Sequence, residues 1–281
     1  MPARILTLNI VGAGHVGKAL GRVFAVSGVF QVQDVLTRSL SSAQAAVDFI
    51  GAGVAVSAYH HLRAADITML AVGDDQIVAA CAALADAMPL AGNIVFHCSG
   101  ALASSQLLPA KQAGALLASV HPIRSFADPA LVADSFSATF CGIEGDAKAL
   151  EVLQPALLAA GARPVAIDAS AKTVYHAAAV FASNYLVTVL DTALRAYQAA
   201  GIPEAVAREL AQPLVTEAVA NVFRLGPAQA LSGPIARGDF ATVGQQQRAV
   251  DAWDAASGQL YRALVAPTAD LARRKRGARS A

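Results

Sequence analysis

Gly12, Gly14 and Gly17 stand directly behind an apolar run at residues 5–11 and directly ahead of a helix-like stretch at residues 16–27. In that setting the G-x-G-x-x-G spacing specifies a strand, a tight turn and the start of a helix. Gly12 permits the turn, Gly14 lets the backbone approach a pyrophosphate, and Gly17 allows close packing of helix on strand. The free N–H groups at the helix start attract an anion. Gly12, Ala13, Gly14, His15, Val16 and Gly17 therefore form a candidate dinucleotide-binding turn.

The next strand-like segment, residues 32–36, ends in Thr37-Arg38-Ser39, with Arg38 about twenty residues beyond the glycines, where the ribose-reading residue belongs. A carboxylate there would accept from a 2′-hydroxyl and repel a 2′-phosphate. A guanidinium between two hydroxyls instead offers a fork of donors to phosphate oxygens, so NADP(H) is the expected cofactor. Asp34 is the one residue that speaks for NAD. Alternation along the strand turns it away from the ribose, although a shift of one residue would bring it back.

Short apolar runs continue at residues 54–56, 67–72, 93–98, 116–121, 138–143 and 164–167, alternating with helical segments. This rhythm belongs to a doubly wound, mostly parallel α/β sheet. From residue 171 the β pattern ends and long helical patterns take over, the first running to about residue 200. The expected organisation is a dinucleotide-binding domain over residues 1–168 and an all-α domain over residues 169–281, for substrate and dimer contacts.

An apolar content of 56% against 15% charged residues leaves much surface to be covered, and a homodimer through the helical domain is expected. The net charge of +1 gives no reason to expect nucleic acid or an anionic membrane, and the basic tail of Arg273, Arg274, Lys275, Arg276 and Arg279 reads as a solvated end. Residues 177–190, the longest later apolar stretch, are too short to span a bilayer and read as a buried helix. Cys81, Cys98 and Cys141 are odd in number and form no C-x-x-C pair, which fits a cytoplasmic protein. No secretory signal is expected, and His60-His61 lacks companions at metal-ligand spacing.

Ligands of open α/β sheets lie beyond the carboxyl ends of the strands. After the fourth strand, Val72-Gly73-Asp74-Asp75 is placed to cap the next helix with its carboxylates and to border the cofactor with its backbone. Ser99 follows the fifth strand, and His121 ends the sixth ahead of Pro122. An imidazole there can exchange the proton that accompanies hydride transfer, and the Ser99 hydroxyl can hold the same oxygen or nitrogen. His121 also reads as a structural residue before a turn, while His97 is expected to point into the sheet and Cys98 to be a small core residue.

Lys172, His176 and Asn184 interrupt an apolar helix and are expected to face the interdomain cleft as substrate and cofactor-amide contacts. Lys172 and His176, four apart, share a helix face. In the irregular segment 231–239, Arg237 either clamps an anionic substrate group or pairs with Asp239.

These motifs, together with His97-Cys98-Ser99-Gly100-Ala101-Leu102, Tyr175-His176-Ala177-Ala178 and Gly233-Pro234-Ile235-Ala236-Arg237-Gly238-Asp239, resemble a family of NADP-dependent oxidoreductases that join a Rossmann-like domain to a C-terminal helical domain of unknown function. The resemblance implies a fold like that of 6-phosphogluconate dehydrogenase and pyrroline-5-carboxylate reductase, with dimerisation through the helices. Ser99 and His121 also match the placement of a serine and a catalytic histidine in prephenate dehydrogenases. β-Hydroxyacid dehydrogenases carry a lysine where Lys172 stands, but an asparagine at the position of His176, which argues against a hydroxyacid substrate.

The combined expectation is an NADP(H)-dependent oxidoreductase acting on a small polar, anionic carbonyl, imine or alcohol in the interdomain cleft. Its alternative is a non-catalytic NADP(H)-binding sensor or partner-binding protein.

Overall fold

The computed structural model describes residues 4–277, so Arg279 of the basic tail lies outside the described residues. The chain divides into two compact units, Met1–Ser183 and Asn184–Ala281. Eight strands build the first: β1 (Leu6–Val11), β2 (Phe30–Leu36), β3 (Val54–Val56), β4 (Ile67–Leu70), β5 (Ile94–His97), β6 (Leu116–Pro122), β7 (Phe140–Gly145) and β8 (Arg163–Ala166). They form one sheet in the order β3-β2-β1-β4-β5-β6-β7-β8. Neighbouring strands are parallel throughout except β6 and β7. The strand order therefore reverses between β1 and β4, the position at which such sheets open a crevice for ligands.

The helices of this unit are α1 (His15–Ser27), α2 (Leu40–Ile50), α3 (Ile77–Ala87), α4 (Leu108–Gln112), α5 (Pro129–Asp134), α6 (Ala147–Ala159) and α7 (Lys172–Ala182). Side chains alternate across the sheet, so its central strands feed two cores. One contains Leu8, Ile10, Met69, Phe96 and Val120 with Phe24 of α1 and Leu153 of α6. The other contains Val11, Leu70, Val95 and Leu117 with Ile77 and Leu84 of α3. Because Leu117 takes the second face, the period of two assigns Ser119 and His121 to that face as well.

The division between the units falls after α7 rather than at residue 168. Helix α7 packs onto the sheet through Lys172 and Tyr175, which ties it to the first unit. The helical stretch expected to run unbroken to residue 200 turns at Ser183, whose φ of −127° and ψ of −75° leave the helical region. Residues Ala169–Ala199 are, among the described residues, the one stretch long and apolar enough by length and composition to cross a membrane.

The second unit is all-helical: α8 (Asn184–Ala199), α9 (Glu204–Leu225), α10 (Pro227–Ala230), α11 (Pro234–Arg237), α12 (Phe240–Trp253) and α13 (Ala255–Gly277). Its buried apolar side chains are small ones, Ala207, Ala211, Val243 and Ala272. The expectation of a buried helix at residues 177–190 does not hold within the single chain, where Phe181 is 69% and Val187 67% exposed. Apolar composition records that such a stretch needs covering, not that its own chain covers it.

Candidate active site

The glycine turn is built from backbone alone. Gly12 follows β1 with φ +84°, and a Cβ added there would lie 2.6 Å from Val72 Cγ1 and 2.7 Å from the Ala71 carbonyl oxygen. Its N–H donates to the Leu36 carbonyl oxygen at 2.8 Å, pinning the turn between β2 and the segment that follows β4. A Cβ on Gly17 would meet the Gly12 carbonyl oxygen at 2.5 Å, so helix and turn touch. Gly14 is different. Beyond its two chain neighbours, no atom lies within 4 Å of where its Cβ would stand. The first turn of α1 carries no acidic residue and no side-chain cap, leaving its N–H groups free for an anion. This bare, open helix start fits a pyrophosphate. His15 donates from Nδ1 to the Phe126 carbonyl oxygen at 2.5 Å and so joins the turn to the loop after β6.

At the end of β2, Thr37 donates to the Ser39 carbonyl oxygen and Ser39 caps α2 by accepting from the Ser42 N–H. Arg38 is exposed beside them. Asp34, the residue that favoured NAD, is 1% exposed and accepts from the Arg63 guanidinium and backbone N–H. Its carboxylate is spent on a structural pair.

Further along the same edge, side chains build the site. Across the antiparallel β6–β7 pair, Ser119 faces Glu144 and His121 faces Gly142. Helix α7 lies over these two pairs, and three residues of helix, about 4.5 Å, step from the first pair to the second. Lys172 covers the first: its Nζ donates to Ser119 Oγ at 2.5 Å and to the Ser99 carbonyl oxygen at 3.1 Å, and lies 3.7 Å from Glu144 Oε1. Glu144 also accepts from the N–H and hydroxyl of Ser104. Burial pushes the Lys172 pKa down, with Glu144 opposing that shift.

Tyr175 covers the second pair. Its hydroxyl lies 2.7 Å from His121 Nδ1, and a Cβ on Gly142 would fall 2.5 Å from that oxygen. His176 stands edge-on to His121 with centroids 5.6 Å apart, and both rings press on the bare Cα of Gly100: a Cβ there would lie 2.8 Å from His121 Nε2 and 2.5 Å from His176 Cδ2. Burial first, then the charges of His176 and Lys172, lowers the His121 pKa to about 4, with Asp74 opposing. His121 is thus a neutral imidazole at pH 7. Burial and Cys141 push the Tyr175 phenol up to about 12.

Several of the expected site residues have partners within the protein. Lys172 is 2% exposed, and its bonds to Ser119 and the Ser99 carbonyl oxygen, with Glu144 nearby, anchor α7 on the sheet. The Ser99 hydroxyl donates to Asp74 Oδ2 at 2.8 Å and accepts from the N–H groups of Ala101 and Leu102. Asp74 accordingly reaches across to Ser99 rather than capping a helix, and Asp75 accepts from Gln76. His97 points into the sheet. Its Nδ1 accepts from the Ser99 N–H, so Nε2 carries the proton that goes to the Ala103 carbonyl oxygen. Burial drives the Cys98 thiol up to about 12, in keeping with a core residue.

In the second unit, Asn184 opens α8 and Arg237 closes α11, both exposed. Asp239 caps α12 by accepting from the N–H and hydroxyl of Thr242, and these bonds, with the charge of Arg237, hold its carboxyl below the usual range. Tyr175 and Glu144 escaped the reading of the sequence as site residues. A glycine inside a strand opposite His121 was the available signal, since it marks close approach by another group.

Residues 1–122 match the Rossmann-like domain family, and residues 139–268 match a domain of unknown function, DUF2520. The chain joins a Rossmann-like domain to a DUF2520 helical domain. Among solved structures, protein TM1727 from Thermotoga maritima is 27% identical, with 96% of this chain and 99% of that one covered and a TM-score of 0.73. Protein BF3122 from Bacteroides fragilis is 18% identical over 95% and 98% of the two chains, with a TM-score of 0.78. An imine reductase from Myxococcus stipitatus, solved in complex with NADP+, is 18% identical over 97% and 94%, with a TM-score of 0.66. No curated protein matches the sequence. The Rossmann-like and DUF2520 pair thus has the fold of NAD(P)-dependent reductases.

Proposed function

We propose that the chain is an NADP(H)-dependent oxidoreductase acting on a small polar carbonyl, imine or alcohol. The observation that carries the reading is the open Gly14 face at the head of α1, on the same sheet edge as a neutral imidazole. The N–H groups of the glycine turn would hold the pyrophosphate, and Arg38, flanked by Thr37 and Ser39, the 2′-phosphate. The withdrawal of Asp34 into its pair with Arg63 removes the competing carboxylate. When bound, the nicotinamide supplies the hydride. The chain's own part is to orient that ring and to serve the substrate heteroatom through His121. NADP+ in the related imine reductase supports the same choice of cofactor.

The test is turnover of NADPH against a panel of ketones, cyclic imines and alcohols, with His121→Ala beside the unaltered protein. NADPH binding with turnover lost in the variant supports the reading. Binding with no turnover in either protein would instead mark a sensor.

The same reading makes the protein a cytoplasmic homodimer. Exposed Phe181, Val187, Leu214 and Phe223 form apolar helix faces of the kind that subunits cover. Light scattering in dilute solution is expected to give twice the chain mass.

A further inference from the structure

We infer that Tyr175 and His121 form a neutral proton relay, in which the phenol is the proton source and the imidazole passes the proton from Nδ1 to Nε2. The inference rests on the oxidoreductase reading and adds the origin of the substrate's proton.

The geometry that carries it begins with two glycines. Bare Gly142 admits the Tyr175 hydroxyl at the one height where it meets His121 Nδ1, and bare Gly100 admits the imidazole edge bearing Nε2. The anchor at Lys172 holds α7, and hence Tyr175, over the β6–β7 pair. Tyr175 and His176 of α7 touch His121, the charges of Lys172 and of Asp74 after β4 also act on it, and Cys141 of β7 acts on Tyr175. Their balance with burial keeps imidazole and phenol both uncharged. In the relay the Tyr175 hydroxyl donates to Nδ1 and Nε2 carries the hydrogen; the opposite tautomer, with Nδ1–H donating to the phenol oxygen, is the arrangement the test below distinguishes from it.

The neutral state decides between two ways of delivering a proton. An imidazolium would be scarce at pH 7, so His121 is a poor acid by itself. In the relay the Tyr175 O–H bond breaks as Nδ1–H forms, and the Nε2–H bond breaks as hydrogen joins the substrate oxygen or nitrogen. The imidazole ends neutral, in its other tautomer. The charge left by hydride arrival on the substrate passes to the phenolate, a far weaker base than an alkoxide, and water returns the phenol's proton. Tyr175 acts through His121 and is a positioning and proton-supplying residue, not one that touches substrate.

Nitrogen-15 NMR of the histidine side chains, followed from pH 4 to 9, tests this without a substrate. The unaltered protein is expected to hold His121 as the neutral Nε2–H tautomer down to about pH 4. In Tyr175→Phe the tautomers should mix and the titration midpoint should move up. His176→Ala, which keeps the phenol, should raise the midpoint while preserving the tautomer. An Nδ1–H tautomer in the unaltered protein, or a tautomer and midpoint unmoved in Tyr175→Phe, would overturn the relay. NADPH titration of the same samples separates the two ideas: failure to bind overturns the oxidoreductase reading, whatever state His121 adopts.

Discussion

The two ends of the sheet's carboxyl edge are made in opposite ways. At the glycine turn the work falls to backbone: absent side chains, one positive φ and unspent N–H groups. At the β5–β6–β7 end it falls to side chains, nearly all of them satisfied by one another before any ligand arrives. Ser99, Asp74, Ser119, Glu144 and Lys172 form a closed network there. The comparison teaches that an end left open has room for a ligand, while an end closed on itself holds α7, and with it Tyr175, against His121.

The largest effect should come from opening the closed end. Lys172→Met strips the ammonium from buried Glu144 and Ser119 and is expected to destabilise the fold by about 3–5 kcal/mol in urea unfolding. Lys172→Met combined with Glu144→Gln should cost less than the sum of the two single changes, because each single change leaves one charge unpaired and the double variant leaves none. Strict additivity would mean that the network is not closed.

At the open end, Gly12→Ala places a Cβ against Val72 and Ala71 at a positive φ and should cost about 2–3 kcal/mol. The comparison sharpens if NADPH binding falls at 15 °C, where the variant stays folded.

Acid should affect the histidine end. The His121 pKa lies near 4 when folded, and burial also lowers that of His97. Between about pH 6.5 and 4 the unfolded chain therefore binds protons that the folded chain does not, so stability falls as pH drops through this window. His121 alone contributes about 2–3 kcal/mol to that fall, complete below pH 4. His121→Asn should flatten the pH dependence of unfolding; an unchanged slope would mean His121 titrates alike in both states.

What could be read from the sequence follows the same contrast. The glycine turn, the strand order's consequences and the position of His121 follow from local rules: spacing along the chain, alternation along a strand, and where strands end. The roles of Ser99, Asp74 and Lys172 do not. Each depends on partners 20 to 73 residues away, such as Ser99 and Lys172, whose meeting is set by the sheet register. Tyr175 was hidden because its meaning lies in Gly142 across the β6–β7 pair. The exposed helices near residue 183 escaped for another reason, since apolar composition does not say which molecule will cover it.

The central claim is that the open end holds a 2′-phosphorylated nicotinamide cofactor, and parallel titrations of NADPH and NADH test it most directly. NADPH should bind at least about tenfold tighter, corresponding to one charge-assisted contact at Arg38, and Arg38→Glu should abolish or reverse the preference. Equal affinities in the unaltered protein, or a preference that survives in Arg38→Glu, would contradict the account.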